Sequence, residues 1–203
     1  MAGITSVGTT GYQQYYVSNT SVTGPSISAQ PSTVMNSSRQ RANKESANLT
    51  KAAQELKNSL KAFSNDGVLA DLFANGTTSS SFQVMARDSL DKLVNVYNKF
   101  NEITKSSKYI TGEGSKLLNQ VQELLTGKNV ADYRKMGLEI DKQSGNLKFD
   151  DKKFAAFFDE NTATTGKLLI NDKYFVSLLQ DVAQSVLGKQ SGYYFVKPLD
   201  VSV

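Results

Sequence analysis

The stretch Met136–Phe158, MGLEIDKQSGNLKFDDKKFAAFF, constrains the fold more than any other part of the chain. It alternates like a strand, breaks at a glycine, alternates again and then changes to helical spacing. Leu138 and Ile140 alternate with Glu139 and Asp141, and Leu147 and Phe149 with Lys148 and Asp150, which predicts two short strands with one apolar face each. Gly145-Asn146 between them is expected to supply a tight turn, since both residue types tolerate positive φ. Asp150 stands where an N-cap belongs, with Asp151 adding negative charge at the positive end of the helix dipole, so a helix is predicted from about Asp151. Phe149 and Phe154 have the spacing of a hydrophobic staple, and Phe154, Phe157 and Phe158 share one helical face. Hairpin and helix should therefore share a small aromatic core.

The acidic residues of the same stretch invite a calcium loop, but the register fails. A loop starting at Asp141 needs oxygen ligands at its third and fifth positions, Gly at its sixth and Glu at its twelfth. The chain offers Gln143, Gly145, Asn146 and Lys152 there. Turn and cap chemistry is the better account, and no metal or cofactor is expected. Cysteine and histidine are both absent, which removes disulfides, thiol nucleophiles, the usual zinc sites and any imidazole base. No phosphate-binding glycine motif occurs and no acidic pair stands out from the helix surfaces, so no enzymatic activity is expected and no catalytic residue is named.

The charge is unevenly distributed. Residues 1–38 carry no Asp, Glu, Lys or Arg, are rich in Ser and Thr, and are interrupted by Gly24-Pro25 and Pro31. This composition predicts a flexible, disordered N-terminal tail. All 23 basic and 19 acidic residues lie beyond it, and a net charge of +4 on mixed-sign helices reads as a solvated surface. Basic runs interleaved with aromatic residues are missing, so no nucleic-acid partner is expected. No apolar run is long enough to span a membrane, and the N-terminal residues lack the charged n-region and continuous apolar h-region of a secretory signal, so any export is expected to use a route that needs no cleaved signal peptide.

Helical periodicity dominates residues 39–190. Arg39 to Phe63 places Leu49, Ala52, Ala53, Leu56, Leu60 and Phe63 on one stripe and stops at Asn65-Asp66-Gly67. Val68 to Phe73 reads as a short apolar turn, followed by a polar loop. Ser81 to about Ser106 is the longest predicted helix, with Phe82, Met85, Ala86, Leu90, Leu93, Val96, Tyr97, Phe100 and Ile103 recurring at intervals of three and four. Leu93, Val96, Tyr97, Phe100 and Ile103 are candidates for either core or inter-subunit packing. The first helix, or Ser115–Thr126 with Leu117, Leu118, Val121, Leu124 and Leu125, is expected to cover that stripe, and Gly127 is placed as a C′ glycine. Asp132 to Met136 reads as a turn into the hairpin at about 138–149, and Asn171–Leu187 as the last helix. Residues 191–203, with Tyr193, Tyr194, Phe195 and Val196, read as an extended apolar segment. The fold class is thus mainly α, a helical bundle or coiled-coil stem with one small β-hairpin.

The order of elements from Ser81 to Phe158 resembles the C-terminal half of the flagellar filament capping protein family, the hook-associated cap proteins. The residues that carry the resemblance are LVNVYNKFNEI at Leu93–Ile103, GSKLLNQVQELL at Gly114–Leu125, and a Gly-Leu to Lys motif. That motif is met by Gly137, Leu138, Ile140, Asp141, Gly145, Leu147, Asp150 and Lys153. The Gly-Leu-Asp signature that usually opens the family is absent, as is the large insertion that usually precedes the matched helices. The chain therefore reads either as a minimal relative that keeps the stem or as a protein that uses that stem in another surface role. The resemblance implies a structural protein, exported to the bacterial flagellum and assembling at the filament or hook tip by helix packing with copies of itself, flagellin or hook-associated proteins. The alternative is a cytoplasmic helical binding module, an export chaperone or adaptor for flagellar axial proteins.

Overall fold

The strongest repeat in the chain is a seam on its first helix. Ala42, Ser46, Leu49, Ala53, Leu56, Leu60 and Phe63 follow one another at alternating intervals of four and three, and every one of them is buried. A computed structural model describes residues 32–64, 66–108, 112–127, 129–170, 174–189 and 193. In it the seam lies on α1 (Ser32–Leu60), which a 3₁₀ turn (Lys61–Phe63) extends. The remaining elements are α2 (Val68–Ala74), α3 (Ser80–Ser106), α4 (Gly112–Thr126), α5 (Val130–Lys135), β1 (Leu138–Ile140), β2 (Leu147–Phe149), α6 (Asp151–Ile170) and α7 (Phe175–Leu187). The fold is mainly helical, with one two-stranded antiparallel hairpin among the described residues.

α1 packs along both α3 and α7. Lys99 Nζ meets Glu55 Oε2 at 2.8 Å and the Ser107 hydroxyl bonds Glu45, so residue numbers rise in opposite directions and the two long helices are antiparallel. α3 answers the seam with its own four-three series, Ala86, Leu90, Leu93, Tyr97, Phe100 and Thr104, all buried. On the other flank, α7 buries Phe175, Val176, Leu179, Val182, Ala183 and Val186, and Lys57 Nζ donates to Gln184 Oε1 at 3.2 Å. α4 packs against α7, α3, α5 and β1, so it does not by itself cover the α3 stripe.

A second centre is aromatic. Phe73 of α2, Phe82 of α3 and Phe158 of α6 lie with ring centroids 4.8 to 5.9 Å apart, and Phe154 joins Phe158 at 5.7 Å. α6 reaches several neighbours because it bends at Asn161, whose backbone is non-helical (φ −139°, ψ 39°). Before the bend, Gln83 Nε2 of α3 donates to Ala155 O at 3.1 Å and to Asp159 Oδ1 at 2.6 Å. After it, Tyr133 Oη of α5 donates to Leu168 O at 3.1 Å. Gly166 lies so close to Phe73 that a Cβ there would fall 2.9 Å from the ring.

Several elements depart from the sequence expectation. α1 starts at Ser32, ahead of the expected Arg39 and inside the stretch whose composition suggested a flexible tail. Once a helix is nucleated on a core, each added residue gains a backbone bond at little cost, and Ser32–Ser38 contains neither Gly nor Pro to stop it. Residues 1–31 lie outside the described residues. Val68–Phe73 is helical as α2, and Asp132–Met136 is not a simple turn but overlaps α5. Both are short helices held by tertiary contacts, Leu69 and Tyr133 being fully buried. Met85, expected on the α3 stripe, is 42% exposed, because a rotation of about 100° per residue places it beside the stripe that Ala86 occupies. α4 begins at Gly112 rather than Ser115, and α7 at Phe175 rather than Asn171, while 171–173 and the proposed extended segment 191–203, Tyr193 excepted, lie outside the described residues.

Leu56 has no exposed surface and lies in the seam of the helix that both α3 and α7 pack along. Leu56→Ala should destabilise the protein by about 2–5 kcal/mol, through lost transfer energy and the cavity left behind. Urea unfolding followed by circular dichroism measures it, and a loss below about 1 kcal/mol would show that the seam collapses without cost.

Candidate functional site

The Gly-Leu to Lys motif folds as one closed unit. β1 pairs antiparallel with β2 in the register Leu138↔Phe149, Glu139↔Lys148 and Ile140↔Leu147. Gly137 precedes the sheet at φ +84°, and its carbonyl accepts from Asp150 N at 2.9 Å. A Cβ on Gly137 would lie 2.4 Å from Asp150 O, so both the dihedral and the close approach require glycine. Asp150 is the N-cap of α6. Its Oδ1 accepts from the backbone N–H groups of Lys152 and Lys153, each at 3.1 Å. Phe149 and Phe154 stack edge to face across the cap at 5.6 Å, the geometry of the staple. Lys153 returns to the sheet, with Nζ 3.5 Å from Glu139 Oε1. Leu138 and Leu147 are buried, while Ile140 is half-buried against the core.

The turn differs from the expected two-residue form. Asp141 N donates to Asn146 O at 2.8 Å and Gly145 N to Asp141 O at 2.6 Å, so Lys142–Gly145 forms a four-residue loop. Gly145 takes a positive φ, +68°. Asp141 organises the loop. Its Oδ1 accepts from Gln143 N and Ser144 N, both at 3.0 Å, and Lys148 Nζ meets Oδ2 at 3.0 Å. The Ser144 amide, the Lys148 ammonium and the Gln143 amide hold the Asp141 carboxyl well below the usual carboxylate range. This is the physical role of the carboxylate that had suggested calcium. Among the described residues no group of three acidic side chains stands close enough to hold a metal ion.

The unit is seated on α3 by polar groups, most of them on side chains outside the apolar stripe. Asn98 uses both halves of its amide: Oδ1 accepts from Leu147 N at 2.7 Å and Nδ2 donates to Leu147 O at 2.9 Å. In this register Leu147 turns its N–H and C=O away from β1, so Asn98 occupies the place of a third strand on that edge. Asn101 Nδ2 donates to Ser144 O at 2.9 Å and to Asn146 Oδ1 at 2.5 Å. Lys105 Nζ donates to Ser144 O at 2.6 Å, and Tyr97 Oη to Gly145 O at 3.4 Å. Positions 98, 101 and 105 form one stripe at helical spacing beside the apolar one. Asparagine is disfavoured inside helices, so two of them three residues apart was the available signal.

The five candidate packing residues fall into two groups. Leu93, Tyr97 and Phe100 are at most 1% exposed inside the chain's own core. Val96 and Ile103 are half-buried and pack against that core. Burial pushes the Tyr97 and Tyr133 phenols up, so both stay protonated through the neutral range. The arrangement fixes a backbone shape: a loop, a strand edge and a helix start are held against one face of α3.

Three outcomes follow from this geometry. Asn98→Ala leaves the N–H and C=O of Leu147 without a partner and should cost about 1–3 kcal/mol in urea unfolding, with faster amide exchange at Leu147. Gly137→Ala should cost about 1–3 kcal/mol or shift β1 away from α6. The folded-state value of Asp141 is depressed, so its contribution is present above the ordinary carboxylate range and is lost as pH falls through the folded value. Asp141→Asn should therefore remove part of the acid-side loss of stability, measured as Tm against pH. A profile parallel to that of the unmodified protein would contradict the assigned role. Comparisons of the chain with protein-family models, curated proteins and solved structures found no match.

Proposed function

We propose that this chain is a structural, cap-like flagellar protein, exported and assembling at the filament or hook tip through helix packing with itself or with flagellin. The observation that supports the reading is the motif Gly137–Lys153. Its residues resemble the cap family's pattern in sequence, and each has a definite structural task in the fold. Gly137 and Gly145 adopt positive φ, Asp141 ties the loop, Asp150 caps α6 and Lys153 pairs with Glu139. A pattern spread over seventeen positions that is spent entirely on shape suits a protein that works by presenting a rigid surface. Among the described residues no helix is long and apolar enough to cross a membrane.

Cell fractionation tests this reading. The protein should appear in washed filaments or culture supernatant, and deletion of residues 1–31, which leaves α1 whole, should trap it inside the cell. Recovery only from the cytoplasm, for the full chain as for the deletion, would overturn the proposal and favour an export chaperone or adaptor. Size-exclusion with light scattering, on the protein alone and mixed with flagellin, should reveal a complex larger than the monomer.

A further inference from the structure

The first helix and the 3₁₀ turn that extends it account for the whole formal charge of the chain. Its 23 basic and 19 acidic residues leave +4; residues 32–63 hold six of the basic and two of the acidic ones, and residues 64–203 hold seventeen of each. The sum over α1 and its 3₁₀ extension is therefore already +4, while everything after them is neutral. Both acids of α1 are engaged: Glu55 with Lys99 and, less closely, with Lys51, and Glu45 with the Ser107 hydroxyl. The cations Arg41, Lys44 and Lys51 are exposed, and with Asn48 they follow a three-four-three spacing that puts them on one stripe away from the buried seam. Lys44 and Lys51 stand two turns apart, about 10 Å along the axis.

We infer that this outward stripe of α1, carried by Arg41, Lys44 and Lys51, is a docking surface for an acidic protein partner presenting carboxylates about two helical turns apart. Charge complementarity argues for a protein. The exposed positions from residue 39 to residue 61 hold only Lys, Arg, Asn, Gln and one alanine. With no aromatic side chain, the face lacks a platform on which bases stack, and with no large apolar residue it lacks anything to bury in a bilayer. Three cations on one line are also fewer than a polybasic membrane patch or a phosphate-tracking groove uses. Lys and Arg interspersed with the amides of Asn48, Gln54 and Asn58 instead match carboxylates with hydrogen-bonding groups between them. Exposed ion pairs are individually weak, so the contact is salt-sensitive and of modest affinity. It does not depend on the flagellar reading, because a cap or an adaptor could use it equally.

Fluorescence anisotropy of a labelled twenty-residue Glu/Ala helical peptide, titrated with the full chain, tests this. Binding is expected at about 20 mM salt and should weaken roughly tenfold by about 200 mM. R41E/K44E/K51E should abolish it. Reversing three exposed lysines elsewhere, K92E/K135E/K167E, should change it by no more than about twofold, although the net charge falls equally. If the triple reversal shifts the urea midpoint, K44Q/K51Q takes its place and should weaken binding by at least about threefold. Absence of binding at low salt, or equal loss in the control variant, would overturn the inference. So would tighter binding to a twenty-base-pair duplex or to vesicles of one-third anionic lipid.

Discussion

The buried seam of α1 is the constraint on which the rest of the structure depends. A helix with a single seam needs a single partner, but α1 packs along both α3 and α7, so its buried face is widened by Ala52 beside Ala53. Small residues there let two helices approach the same stretch, while Leu49, Leu56, Leu60 and Phe63 supply the apolar area that offsets the entropy of ordering them. α2 and α5, at seven and six residues, are too short to persist alone, and exist because this frame holds them.

On the far side of α3 the chemistry changes from apolar to polar. The hairpin has only three residues in each strand, and an isolated pair of that size is not stable in water. Asn98 completes one edge, Asn101 and Lys105 hold the loop, and Phe149 anchors the base to α6 through Phe154. Such contacts are worth little more than their bonds with water, yet losing one half of a buried pair is costly, so they fix position more than they add stability. The result is a loop, a strand edge and a capped helix held in one orientation.

The outer faces carry the remaining distinction. α3 mixes both signs along its exposed side, whereas α1 and its 3₁₀ extension together carry a surplus equal to the net charge of the whole chain. Apolar packing builds the frame, asparagine amides orient the motif, and exposed cations of α1 carry the excess charge of the chain at its surface.

The sequence by itself determined the class of structure and its local grammar. Intervals of three and four marked α1, α3, α4 and α7, and period-two alternation marked the strands. Asp150, Phe149 and Phe154 announced the cap and staple, because those signals act over one or two turns and need no distant partner. Only the tertiary structure decided that Lys142–Gly145 forms a four-residue loop around Asp141 and that α6 bends at Asn161. It alone placed Leu93, Tyr97 and Phe100 inside the chain, and Asn98 as the stand-in for a missing strand. The loop closes through local bonds to Asp141, but the others depend on which groups lie across a gap of some forty or more residues or on how a helix meets several neighbours at once. Local propensity carries no information about either, because the same asparagine amide is satisfied equally well by water until a strand edge is brought against it.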